Sequence, residues 1–454
     1  MADSILQLVK NEYEEKIQQF LDVNPSFKRT PQTNTFNVKY YGGTPSSFSE
    51  IRPLIISDLN NFDNFSLYLH YPFCRYICDY CHYPVKKITT EDKNSDIINS
   101  LIKHYKILTD EFPILLDRGI YSFYLGGGTP SLLSFEELIY LKEHLLNNLK
   151  FNEGAELTIE ATPDSLNDDK IEILLEIGFN RISVGIQILD NETLMKVRRD
   201  HNLEQALLII DRLKKYPQLK SNVDLIYGLP GVSSEKFLSD TNTIANSGVD
   251  SITLYRLRLG RIDERKAVLF SDYTQNPGKY PTQEDTIMQN ICSRQILEEL
   301  GFREEPLGWF NRSDETNQCY KDRWLKQAPM FGLGLSAYSY GSNWQFLNKK
   351  NLSNLFSDLE YSIIPFEEGI RLEKEDTLLR KCAFNLRYQG FWELKEINGE
   401  EKKILENICK NLIDLELASE KNKVFLLNDM GKAFIDEIID NYFQKIKSFY
   451  SDDY

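Results

Sequence analysis

An α/β fold built from repeated strand–helix units is what the sequence predicts, and three observations carry that expectation. Six short runs rich in β-branched and aromatic residues recur at Phe65–His70, Ser122–Leu125, Leu157–Glu160, Arg181–Gln187, Asn222–Tyr227 and Ser251–Leu257. Amphipathic stretches of helical period separate them, at Ser95–Phe112, Ser134–Leu149, Asp168–Ile177, Asn191–Tyr216 and Ser234–Ala245. Such units favour parallel strands joined by right-handed crossovers, with functional residues at the C-terminal ends of the strands. Six strands are too few to close an eightfold barrel. Third, 454 residues with 41% hydrophobic content bury a sizeable core, and no apolar run approaches the length of a membrane span. A net charge of -15 argues against generic binding to nucleic acid or anionic membrane, which needs clustered Lys and Arg. Three regions are expected: an N-terminal helix and arm at 1–60, a barrel with an extension at 61–345, and a small C-terminal unit at 346–454.

Residues 2–22 place Ile5, Leu8, Val9, Tyr13, Ile17, Phe20 and Leu21 on one helical face, the pattern of a docking helix. Pro, Asn, Thr and Gly between Asn24 and Ser47 read as an irregular arm. The N-terminus has neither a basic n-region nor a cleavable apolar core, so a cytoplasmic location is expected. The single cysteines Cys292, Cys319, Cys382 and Cys409 are then thiols of a reducing compartment, with no chemistry assigned.

The first strand run leads into Tyr68-Leu-His-Tyr-Pro-Phe-Cys74-Arg-Tyr-Ile-Cys78-Asp-Tyr-Cys81-His82. Three of the seven cysteines fall in a Cys-x3-Cys-x2-Cys spacing. Thiolates so spaced can take three corners of a cubane iron–sulfur cluster and leave the fourth iron open to chemistry. Cys78-Asp-Tyr-Cys81-His82 also matches covalent haem attachment, and Cys74, Cys78, Cys81 and His82 form a possible zinc set. Haem attachment requires export, and ligands adjacent in sequence, such as Cys81 and His82, rarely converge on one metal.

The whole stretch resembles the signature of radical S-adenosylmethionine (SAM) enzymes, specifically the oxygen-independent coproporphyrinogen III oxidase-like branch. The resemblance implies an open six-stranded (β/α)6 partial TIM barrel, a 4Fe–4S cluster on Cys74, Cys78 and Cys81, and one or two molecules of SAM. It further implies a small-molecule substrate and reduced flavodoxin or ferredoxin as electron donor.

The remaining motifs follow in order. Gly126-Gly-Gly-Thr129 after the second strand removes every Cβ, which suits a close ligand or merely a tight turn. Glu160 is a lone acid at the end of an apolar run, where it needs a partner; a salt bridge is the plain reading. Gln187 ends the fourth strand, and the next helix is expected to carry Arg198, Arg199 and His201, of which Arg198 reads as a solvated helix face. Asp224 lies mid-strand in Asp-Leu-Ile-Tyr-Gly-Leu-Pro, and Arg258 follows the sixth strand. By resemblance, Tyr68, Gly127, Glu160 and Arg199 contact a first SAM. Tyr80, Gly128, Thr129, Gln187, Asp224, Arg258 and Tyr338 fall where the family holds a second. Tyr68 and Arg258 stand as catalytic candidates. Arg258 replaces a small residue of the coproporphyrinogen oxidase, which points to a different substrate anion or an altered second site.

Beyond the barrel, Trp309-Phe310-Asn311, Trp324 and the glycine-rich Phe331–Ser339 resemble the family's post-barrel segment, and with Trp344 their aromatics would suit a flat ligand, although such residues are more often core. Periodicity at Thr377–Leu386 and Lys402–Leu415, a strand at Val424–Leu427 and a last helix at Gly431–Phe443 suggest a winged-helix-like lid rather than a nucleic-acid reader, given the acidic chain. His82 and His201 are the histidines near the motifs that might ligate haem, and each reads first as a hydrogen-bonding neighbour. Two-SAM relatives include methyltransferases, cyclopropane-forming enzymes and ring-opening haem-utilisation enzymes. The oxidase signature carries a further cysteine that is missing at Tyr83, and its N-terminal arm motif is not recognisable around Arg29-Thr-Pro-Gln-Thr. Methyl or methylene transfer to an unsaturated or aromatic carbon is therefore expected, with porphyrin decarboxylation or haem binding and chaperoning as alternatives.

Overall fold

A computed structural model describes residues 2–33, 43–259, 267–312, 321–393 and 400–443. Six parallel strands stand side by side in chain order: β1 (Asn64–Tyr71), β2 (Gly119–Gly127), β3 (Phe151–Ala161), β4 (Arg181–Gln187), β5 (Lys220–Tyr227) and β6 (Ser251–Arg256). The barrel does not close. On the outer edge of β1 a further strand, β7 (Met330–Gly334), pairs in parallel, and antiparallel strands continue the sheet through Tyr338–Tyr340, Trp344–Asn348 and Phe366–Arg371. The outer edge of β6 is covered by the antiparallel strand Trp309–Asn311. The result is a thirteen-stranded open sheet.

The crossover helices begin where the sequence supplies caps. Ser134 and Glu137 close a capping box on helix Phe135–His144, Asn167 caps Asp168–Ile177, and Gly178 ends that helix at φ 115°. The expected helix Ser134–Leu149 stops at His144 and finishes as a 3-10 turn, Leu146–Asn148. The expected helix Asn191–Tyr216 is two helices, Asn191–Lys196 and Leu203–Leu213, because Asn202 and Gln205 form a capping box that starts a new one. Arg198, Arg199 and His201 thus lie in the break, with Arg198 at φ 55°, and not on a helix face.

Helix Ala2–Val23 packs on Gln283–Glu299 and Ser234–Ala245. Its buried face matches the expectation at Ile5, Val9, Ile17, Phe20 and Leu21, but Leu6 is buried and Leu8 is exposed. Phe20 and Phe27 set their rings 5.0 and 5.6 Å from Phe434, and Arg29 pairs with Asp440 at 3.3 Å, so the N-terminus clasps the C-terminus. Of the expected arm, residues 34–42 lie outside the described residues; Thr44–Pro45 adds a short rung to Phe366–Arg371.

The expected boundary at 346 falls inside strand Trp344–Asn348, whose ladder to Phe366–Arg371 keeps this region in the main sheet. The C-terminal unit starts with helix Lys374–Gln389. Helix Glu400–Asp414 and an antiparallel three-stranded sheet of Phe391–Glu393, Val424–Leu427 and Ala418–Lys421 follow. The expected last helix is two, Asp429–Ala433 and Ile435–Phe443, joined at Phe434. No helix among the described residues is long and apolar enough to cross a membrane.

Candidate active site

At the C-terminal ends of the parallel strands a cavity of about 600 Å³ opens. The three cysteines, Tyr68, Tyr80, Gly127, Gly128, Thr129, Glu160, Gln187, Arg199, Asp224, Arg258 and Tyr338 line it, whereas Gly126, Arg198 and His201 do not. Residues as far apart as Tyr68 and Arg258 converge because parallel strands all deliver their C-terminal ends to one rim.

The cysteine loop is held at its base and at its tip. Phe73–Cys74 pairs with Lys86–Lys87, and the Ile88 N–H donates to the Cys74 carbonyl at 2.9 Å. Within the loop the Cys81 N–H closes a turn on the Cys78 carbonyl at 3.0 Å. At the tip, the Asp79 N–H donates to the Val197 carbonyl at 3.0 Å. That carbonyl is free because the helix breaks there. All three thiols are half-buried, and none is in a disulfide. Burial pushes the Cys74 thiol up to about 12, against the hydrogen bond from Thr129, so its thiolate is favoured only when positive charge shares the site.

The glycines also have a packing reason that the sequence did not show. A Cβ on Gly126 would lie 2.9 Å from the Glu160 carboxyl carbon, one on Gly127 2.7 Å from the His70 ring, and one on Gly128 inside the Phe73 backbone. Gly127 also takes φ 112°. The run is required by packing of the chain against itself, which fits the cysteine loop tightly over β2.

Glu160 makes no salt bridge among the described residues. Its Oε1 accepts from the Tyr124 hydroxyl and its Oε2 from the Gly127 N–H, both at 2.9 Å. Burial pushes its carboxyl up from 4.5 to about 7, although both hydrogen bonds favour the carboxylate. Asp224 has the partner its mid-strand position demands: the Ser183 hydroxyl donates to it at 3.0 Å and the Asn222 amide at 2.8 Å. Burial raises its carboxyl too. Asn222 Oδ1 in turn accepts from Ser251 and Thr253, at 2.8 and 3.2 Å, so a polar network floors the cavity.

Arg199 donates to Cys78 Sγ at 3.4 Å, to the Tyr80 hydroxyl at 3.3 Å and to the Gly185 carbonyl. Its Nε, and Oε1 of Gln187 at φ 71°, are buried without a hydrogen-bond partner. Arg198, exposed as expected, pairs with Asp79 at 3.3 Å. His201 donates from Nε2 to the Ile186 carbonyl at 3.2 Å, and His82 from Nδ1 to the Arg258 carbonyl at 3.1 Å. Both are hydrogen-bonding neighbours. Tyr68 donates to His70 Nδ1 at 3.0 Å, the tautomer fixed by His70 Nε2–H on the Pro84 carbonyl at 3.1 Å.

At one end of the cavity the sequence motifs reached only Arg258. There Arg258 meets Asp436 of helix Ile435–Phe443, Arg387 bonds the same carboxylate at 2.6 Å, and Arg256 bonds Glu437 at 2.7 Å. Of the expected aromatic wall, Trp309 faces the cavity, whereas Phe310 and Trp344 are core. The side chain of Trp324, and Cys319, lie outside the described residues.

The donor set fits a cluster. Three thiols face one cavity beside a guanidinium that reaches Cys78 Sγ, and two orphaned polar atoms stand ready for a polar ligand. Among the described residues no three His, Cys, Asp or Glu side chains close to single-ion spacing. A cubane cluster, with each thiolate on a different iron, spaces its ligands more widely than one zinc ion does.

Residues 68–243 match the family described as the Radical SAM superfamily. The chain is 27% identical over 388 residues to "Heme chaperone HemW" of Lactococcus lactis subsp. lactis (strain IL1403), covering 84% of this chain and 96% of that protein. It is 26% identical over 381 residues to "Oxygen-independent coproporphyrinogen III oxidase" of Escherichia coli (strain K12), covering 77% and 80%. The solved structure of coproporphyrinogen III oxidase (HemN) from Escherichia coli shares the fold, with a TM-score of 0.74 at 20% identity over 87% of this chain and 94% of that one.

Proposed function

We infer, from a chain that carries a radical SAM domain over residues 68–243, that its cavity performs SAM-dependent hydrogen abstraction on a tetrapyrrole-class small molecule. The observation that carries this reading is the convergence of the Cys74, Cys78 and Cys81 thiols, Glu160, Gln187 and Arg199 on one cavity. The cofactors of such a domain are a 4Fe–4S cluster and SAM. When bound and reduced by an electron donor such as flavodoxin or ferredoxin, the cluster would pass one electron to the sulfonium of SAM and break an S–C bond, giving methionine and a hydrogen-abstracting 5′-deoxyadenosyl radical.

The chain's own groups do the rest. Cys74, Cys78 and Cys81 hold three irons. Arg199, already against Cys78 Sγ, offsets the negative charge of the thiolates, and its free Nε faces a ligand carboxylate. Gln187 Oε1 and Glu160 accept hydrogen bonds from an ammonium or hydroxyl group. The Asn222 network keeps Asp224 fixed, and Tyr68, oriented by His70, keeps its phenol oxygen at the cavity wall.

The names of the two relatives support a tetrapyrrole, and the oxidase name supports oxidative decarboxylation as the reaction. Methyl or methylene transfer is the second reading, favoured by the lining of the cavity with all the positions that resemble second-SAM contacts. The deciding experiment is mass spectrometry on anaerobically reconstituted protein with SAM, dithionite, and coproporphyrinogen III or haem. A lighter tetrapyrrole with 5′-deoxyadenosine alone supports decarboxylation. S-adenosylhomocysteine in equal amount with a heavier tetrapyrrole replaces it by methyl transfer. Tight haem binding without SAM cleavage overturns the enzyme reading in favour of a haem carrier.

A further inference from the structure

One end of the cavity is a buried charge cluster assembled from three distant segments. Arg258 follows β6, Arg387 comes from helix Lys374–Gln389, and Asp436 from helix Ile435–Phe443. Each arginine takes a different oxygen of the one carboxylate: Arg258 Nη2 bonds Oδ2, and Arg387 Nη1 bonds Oδ1 at 2.6 Å. Beside them Arg256 Nη1 bonds Glu437 Oε1 at 2.7 Å, and Glu437 Oε2 is buried without a partner. Lys432 lines the same end and makes no ion pair among the described residues. Three arginines therefore face two carboxylates, with Lys432 acting on Glu298 beside them, in a chain whose overall charge is -15. The side chains of Arg256, Arg387 and Asp436 are only 11, 14 and 10% exposed.

A planar carboxylate held between two guanidinium groups, one oxygen to each, is the arrangement by which proteins recognise carboxylate ligands. Burying such charges costs several kcal/mol per ion before pairing, and an excess of cations leaves that cost partly unmet until another anion arrives. Burial alone would raise the Asp436 carboxyl, yet Arg258, Arg387 and Arg256 hold it down, so this place favours a negative carboxylate.

We propose that the arginine end is a carboxylate subsite for the ligand, occupied in this structure by the chain's own Asp436, which a ligand carboxylate displaces. The proposal rests on the radical SAM reading only for the choice of a tetrapyrrole probe. An internal carboxylate competes at high effective concentration. A ligand with several carboxylates therefore enters more readily than one with a single carboxylate, and Lys432 and Arg256 stand close by for a second group.

The test compares coproporphyrin III, a tetracarboxylate, with its tetramethyl ester, which keeps the ring and removes the charges. Binding to full-length, cluster-reconstituted protein is followed by porphyrin absorbance. Asp436→Asn empties the arginine pair and is expected to bind the acid at least tenfold more tightly than wild type, with ester affinity changed less than twofold. Arg387→Gln leaves Asp436 on Arg258, keeps the helix docked and is expected to weaken acid binding at least tenfold while sparing the ester; it decides the matter even where Asp436→Asn does not fold. Equal acid affinity in wild type and Arg387→Gln overturns the proposal, as does acid binding to a folded Asp436→Asn protein that is no tighter than wild type. Assay of 5′-deoxyadenosine from the wild-type preparation separates the two inferences. If no SAM is cleaved, the radical reading falls, while the acid–ester contrast still decides the subsite.

Discussion

Replacing Glu160 by Gln should stabilise the cofactor-free protein while damaging its function. The carboxyl is raised from 4.5 to about 7 by burial. A group whose folded value lies above its unfolded value contributes stability that is fully present below the unfolded value and is lost as pH rises through the folded one. Each unit corresponds to 1.36 kcal/mol, so the wild type forfeits up to about 3 kcal/mol between pH 4.5 and pH 8 at this one position. Gln has the same shape. Its carbonyl can accept from the Gly127 N–H, and its amide can donate to the Tyr124 oxygen, which now serves as acceptor. Urea unfolding of metal-free wild type and Glu160→Gln from pH 5 to pH 8 reads the effect. The variant is expected to gain under about 1 kcal/mol at pH 5 and about 3 kcal/mol at pH 8. Repulsion by Asp224 is part of what raises Glu160, so its relief in the variant is included in the gain at pH 8. SAM binding by the reconstituted variant should fall, because a charged acceptor becomes a neutral amide. Two stability curves that run parallel from pH 5 to pH 8 would refute the reasoning.

Cys78→Ser removes one iron ligand, and iron content and 5′-deoxyadenosine formation should both drop to background in the same preparation. Arg199→Lys exchanges a fork that reaches Cys78, Tyr80 and Gly185 for a single ammonium group, so the KM for SAM should rise about tenfold. Gly128→Ala drives a methyl group into the Phe73 backbone; a loss of about 1–3 kcal/mol by denaturant titration, with reduced iron per chain, is expected. Asn222→Ala removes one acceptor from the Ser251 and Thr253 hydroxyls and one donor from Asp224, which costs about 1–3 kcal/mol in the same titration.

Local signals made much of this legible in the sequence. The barrel strands declared themselves by β-branched runs ending in polar or glycine residues, and the thiol triplet by its spacing. Glu160 stood out as an acid where an apolar strand should not carry one. What stayed hidden depended on distant partners. The break at Val197–Asn202 competes with a continuous helical period, and it persists because the Asp79 N–H of the cysteine loop takes the Val197 carbonyl, a contact across more than a hundred residues. The packing role of Gly126 and Gly128 required knowing that Glu160 and Phe73 lie against them. Arg387, Lys432 and Asp436 belong to no motif. On a helical face they read as ordinary solvated charges until the fold turns them toward the barrel.

The aromatic clasp between Phe20, Phe27 and Phe434, reinforced by an ion pair between residues 411 positions apart, sets an order of assembly during synthesis. The first helix leaves the ribosome long before its partner exists, whereas each strand–helix unit of the barrel completes soon after it emerges. Domains fold as they appear, and contacts of great sequence separation form last. The cysteine loop is therefore presented on a maturing barrel whose mouth has not yet been roofed, and iron–sulfur delivery has a window that shuts when residues beyond 434 are released and the two ends of the polypeptide meet.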